Sequence, residues 1–135
     1  MIEVLKKKSV AIKKEKVIDG IAYVLVTFNN YKIVIANAID KRVIKYTSAG
    51  VHGFKGTKKS TPYAGNTTAE SIAKSAVEDG MKTLHVVMSG AGLSIGPSKD
   101  GIVKAMESAG LSIISIKYKT CVPHNGPRLR KKRRV

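Results

Sequence analysis

From Ile21 the chain runs IAYVLVTF, almost without a polar position and rich in aromatic and β-branched side chains. That composition predicts a strand buried on both faces, in the middle of a sheet. Asn29, Asn30 and Tyr31 interrupt it before a second apolar run, KIVIANAI; because asparagine tolerates positive φ, the junction predicts a hairpin turn. Asp40 and Lys41 predict the next turn, into RVIKYTS, whose mixed polarity suits an edge strand guarded by charge. A glycine-spaced stretch follows, AGVHGFKGTKK, with neither a strand nor a helix period. The pattern then becomes helical, with Thr61 as N-cap, Pro62 at the first position, and Ala69, Ile72, Ala73, Ala76 and Val77 on one narrow stripe. Gly80 is the expected stop. TLHVVMSG predicts a fourth strand and LSIISIKYK a fifth. Between them SKDGIVKAMESAG predicts a second helix, capped by Ser98, facing inward with Ile102, Val103, Met106 and Ala109, and ending at Gly110.

The order β-β-β-α-β-α-β, with two helical crossovers between parallel strands, predicts one mixed five-stranded sheet in the order 3-2-1-4-5. This is the ribonuclease H-like arrangement, and the expected class is a three-layer α/β domain with helices on the faces of the sheet. Residues 17–120 form that single domain, residues 1–16 a basic N-terminal extension, and residues 121–135 a basic C-terminal tail.

Charge adds a partner to this picture. Lys and Arg number 25 against 9 Asp and Glu, a formal net charge of +16 on 135 residues, and six of the last eight residues, RLRKKRRV, are basic. Such a tail offers nothing for burial and repels itself, so it calls for a polyanion. The 43% hydrophobic fraction is enough for a real core. Cys121 is the only cysteine, which excludes an internal disulfide and a zinc site of the usual four ligands. No run approaches the roughly 18 apolar residues of a membrane span, and the Lys-rich start, with Glu3 and Glu15 but no Arg, resembles neither a secretory signal nor a transit peptide.

Catalysis finds little support. Nucleases of this strand order hold two metal ions with carboxylates on central strands, yet YVLVTF and LHVVMS contain no acid. His52, His85 and His124 have neither metal-ligand nor triad spacing; His85 suits a half-buried position paired to a neighbour, and His52 and His124 sit beside glycines and basic clusters, where a contact with RNA competes with an idle surface position. GAGLSIGPS, residues 90–98, lacks the end of a P-loop and misses the dinucleotide spacing by one residue, so a plain βα turn is expected. No cofactor is implied. The loop VHGFKGTKKSTP says more: Gly50, Gly53 and Gly56 permit close backbone approach, and Lys55, Lys58 and Lys59 precede a helix N-terminus, all of which favour phosphate. A free-standing single-strand RNA module would need interleaved aromatic platforms, and only Phe28, Phe54 and five tyrosines exist.

GFKGTKKSTPYA at residues 53–64, PHNG at residues 123–126 and the terminal KKRRV together resemble the bacterial-type small-subunit ribosomal protein eleven family, from about Val17 to the last residue. The resemblance implies a structural, non-catalytic protein of the small-subunit platform that bridges ribosomal RNA helices near the messenger RNA exit, with small-subunit proteins seven and eighteen as neighbours. Carried over to this chain, the RNA-binding residues are Lys55, Lys58, Lys59, Ser60 and Thr61 in the loop, and His124, Asn125, Arg128, Arg130, Lys131, Lys132, Arg133 and Arg134 in the tail. The chain departs from the family where a compact GPGPGRE-like turn is replaced by GAGLSIGPSKD, and in having Cys121 for a proline and Pro127 for a cysteine. With its heavy use of Ile, Lys and Asn, this suggests a divergent lineage, with a mitochondrial or plastid copy favoured over a bacterial one. The proline-flanked PHNGP is expected to be a turn in which Gly126 takes positive φ.

Overall fold

A computed structural model describes residues 17–91 and 98–135. Five strands and two helices follow one another as β1 (Asp19–Val26), β2 (Tyr31–Asn37), β3 (Val43–Ser48), α1 (Pro62–Glu78), β4 (Thr83–Ser89), α2 (Ser98–Ser108) and β5 (Ser112–Lys119). They build one mixed sheet in the order β3-β2-β1-β4-β5, antiparallel from β3 to β1 and parallel from β1 to β5. Class and strand order are those the hydrophobic pattern implies. The N-terminal extension, residues 1–16, and most of the 90–98 stretch lie outside the described residues.

The layering is simpler than the three layers expected. Ala22, Val24, Val26, Tyr31, Ile33, Ile35, Leu84, Val86 and Met88 point to one side of the sheet, where they form a single buried cluster with Ala69, Ile72, Ala73 and Ala76 of α1 and Ile102 and Met106 of α2. Both helices therefore share one face, and they touch each other where the Cβ position of Gly101 falls 2.4 Å from Asn66 Oδ1. The cause is topological: the connections β3 to β4 and β4 to β5 step in the same direction across the sheet, and right-handed crossovers in one direction lay their helices on one side. For the same reason β1, though central, is buried on one face only, with Tyr23 40% exposed on the other.

Local chemistry sets the boundaries. Thr61 caps α1, its Oγ1 accepting from the Ala64 N–H at 3.3 Å, with Pro62 at the first turn. Gly80 and Gly110, at φ 95° and 108°, end the two helices as expected. The first hairpin is closed differently from the expectation: neither Asn29 nor Asn30 has positive φ, and Tyr31 is not part of the turn but a core residue 2% exposed. In the second hairpin Lys41, at φ 56°, is the left-handed residue.

Candidate nucleic-acid interface

Since β1, β3, β4 and β5 are mutually parallel, their C-terminal ends lie together. The last cross-strand row at that end is Ser48, Lys32, Leu25, Ser89 and Lys119. Residues 49–61 leave β3 at one edge and residues 120–135 leave β5 at the other. Four interstrand spacings, about 19 Å, separate the two exits. The two basic segments found in the sequence thus leave the sheet at opposite corners of the same end, and the tail then turns over the uncovered face, where Val122 and His124 line a groove with Ile21, His85 and Lys41.

The loop is built rather than loose. Ala49–His52 and Gly56–Ser60 are short 3-10 turns. Gly53 and Gly56, at φ 84° and 58°, supply the left-handed backbone, and no atom lies within 4 Å of either Cβ position, so the backbone there is bare toward solvent. Phe54 packs against the core and meets Tyr63 edge-on, ring centroids 5.9 Å apart. The Tyr31 hydroxyl donates to the Ser60 carbonyl at 3.3 Å, and Thr47 Oγ1 lies 2.9 Å from His52 Nε2. On this scaffold Lys55 and Lys58 are exposed and Lys59 half-buried. Ser60 Oγ donates to the Thr57 carbonyl and Thr61 Oγ1 to the Lys58 carbonyl, both at 2.8 Å, so these two hydroxyls hold the loop and start the helix. Phe54 and His52 likewise carry structural contacts that glycine and lysine spacing alone does not reveal.

From the other corner onward every residue from Lys117 to Val135 is exposed, His124, Asn125, Arg128, Arg130, Lys131, Lys132, Arg133 and Arg134 among them. The PHNG turn forms, but Asn125 rather than Gly126 takes the left-handed conformation, at φ 62°. Glycine at 126 is needed instead for space, since its Cβ position falls 2.9 Å from Pro123 Cβ. His85, as its strand position implies, is half-buried and paired, Nδ1 lying 2.8 Å from Ser115 Oγ. It stands on the uncovered face of the sheet, in an open groove of about 960 Å³ that extends from Ile21 and Tyr23 to His124 of the tail.

The acids lie elsewhere. Asp19 opens β1, Asp40 sits in the β2–β3 turn, and Glu78, Asp79 and Glu107 fall at the ends of the helices, all at the end of the sheet opposite the basic corners. Asp79 is paired there with Lys45 at 2.9 Å, and Glu70 with Lys74 at 2.6 Å along α1. Only Asp100, in the first turn of α2, belongs to the basic end among the described residues. No three His, Cys, Asp or Glu side chains among the described residues are placed to hold a metal ion. No described helix is long and apolar enough to cross a membrane.

A family model described as Ribosomal protein S11 matches residues 20–134. The small ribosomal subunit protein uS11 of Methylobacterium radiotolerans is 42% identical over 123 residues, covering 91% of this chain and 92% of its own length. That of Rhodopseudomonas palustris strain TIE-1 is 43% identical with the same coverage.

Proposed function

The chain belongs to the ribosomal protein S11 family, and from that premise we propose a structural, non-catalytic constituent of the small ribosomal subunit that binds ribosomal RNA mainly through backbone phosphates. The observation that carries the RNA-binding part is the segregation of charge: a lysine loop and an arginine-lysine tail that leave the sheet at two corners of one end, with most acids at the other. A protein so built can hold two RNA segments with extensions that leave its body at separate edges of the sheet. The loop residues Lys55, Lys58 and Lys59 neutralise phosphates, Ser60 and Thr61 hold the loop that presents them to RNA, and His124, Asn125 and the basic residues beyond them follow a second backbone.

The motif resemblance supports a finer placing, on the platform near the messenger RNA exit, with small-subunit proteins seven and eighteen as neighbours. In this reading residues 17–120 are the body and residues 121–135 an arm that becomes ordered on RNA. The relatives named above are bacterial and give no weight to an organelle copy.

Reconstitution of small subunits from purified components tests the proposal. The wild-type chain is expected to incorporate, whereas K55A/K58A/K59A and a chain ending at Pro127 are both expected to incorporate poorly while remaining folded. Normal incorporation of both variants would rule out the loop and tail as the RNA-binding elements.

A further inference from the structure

Between the two basic corners stands the β1–β2 turn, at the same end of the sheet. Its backbone is locked. The Thr27 N–H and Thr27 Oγ1 both donate to the Asn30 carbonyl at 3.0 Å, the Asn30 N–H donates back to Thr27 Oγ1 at 2.9 Å, and the Tyr31 N–H donates to Asn30 Oδ1 at 2.9 Å. Beneath it Gly90 presses so closely that its Cβ position would fall 2.2 Å from the Val26 carbonyl oxygen, which fixes the end of β4 against the end of β1. From this rigid turn Phe28 stands 58% exposed, with Asn29 exposed beside it.

We infer that Phe28 is a third RNA-contacting element beside the loop and the tail, a ring that stacks on an unpaired base or a ribose while the cations of the other two grip phosphates. A single exposed apolar side chain is ordinary on a protein surface and by itself means nothing. Three circumstances set this one apart. It is an aromatic ring on a turn with no slack, so stacking costs little ordering entropy. It lies roughly 5–10 Å from the strand that leads into the loop and roughly 10–15 Å from the strand that leads into the tail, counted in interstrand spacings. Every acid but one of the described residues is kept away from that end. A ring framed by cations is what single-stranded RNA recognition uses, because every base presents a π-face and the cations hold the backbone.

The inference rests on the RNA-binding reading above, and the experiment separates the two. The chain contains no tryptophan, so F28W provides a lone indole at the point of contact, excited selectively at wavelengths its five tyrosines do not absorb. With a full-length small-subunit ribosomal RNA transcript as the probe, the emission of F28W should be quenched on binding. F28A should bind about 5- to 150-fold more weakly, the worth of one base–aromatic stack. Its salt dependence should match that of the wild type, since no phosphate contact is lost, and its melting temperature should be unchanged. F28Y should restore affinity. Wild-type binding with full salt dependence, together with unquenched F28W and undiminished affinity of F28A, would overturn this inference alone; failure of the wild type to bind the transcript would overturn the reading beneath it. Poor incorporation of F28A into subunits despite normal binding to naked RNA would assign the ring to a protein neighbour and equally reject the stacking role.

Discussion

Glycine does two different things in this chain, and the difference predicts two different costs. At Gly53 the backbone is left-handed, φ 84°, but nothing stands near the Cβ position. Alanine there should cost about 1–2 kcal/mol, the price of a Cβ in that conformation. At Gly90 the conformation is also left-handed, φ 108°, and the Cβ would run into the Val26 backbone. Backbone must move, so G90A should lose clearly more than G53A, by roughly a further 1–3 kcal/mol. Urea unfolding of the two variants makes the comparison, and equal losses would contradict it. The sequence announced both glycines but not this distinction. It likewise marked PHNG as a turn without showing that Asn125 and not Gly126 takes positive φ, because either residue tolerates it. Tyr31 was the reverse case: it reads as the end of a turn, yet it is buried, with its hydroxyl reaching 29 residues along the chain to the Ser60 carbonyl. No local pattern encodes a contact of that range.

At the scale of elements, strands, helices and their stops were legible because hydrophobic period and capping chemistry agree along the chain. The one-sided burial of β1 was not, since it depends on which side the crossovers pass, and that follows from the direction of both connections together. The loop of residues 49–61 was legible as basic and glycine-rich, while its scaffold was hidden in Phe54, His52 and Tyr31. Scaffold and contact can now be tested apart. K55A/K58A/K59A removes side chains whose ammonium groups have no hydrogen bond or ion pair among the described residues, so its unfolding free energy should stay within about 0.5 kcal/mol of the wild type while RNA affinity falls. F54A removes a ring packed on the core and on Tyr63, and should lower stability by about 1–3 kcal/mol and weaken RNA binding as well, through a loosened loop. Calorimetry and filter binding on both variants decide. Unfolding of the triple variant would make the lysines structural. Removing residues 128–135, exposed throughout, should leave the melting temperature unchanged.

For the whole molecule, net charge declared a polyanionic partner from composition alone, but the sidedness of that charge became visible only with the strand directions. The starts of loop and tail and the turn that carries Phe28 come from distant parts of the sequence and converge because β1, β3 and β5 run the same way. The central claim is that both basic corners grip RNA phosphates at once, and the salt dependence of RNA affinity tests it most directly. Each neutralised phosphate contributes about 0.7 to 0.9 to the slope of log affinity against log salt. The wild type should therefore show a steep slope, the triple lysine variant one shallower by about 2 to 3, and the chain without residues 128–135 one shallower by about 4 to 5. A wild-type slope near zero, or one that neither variant changes, would contradict the account.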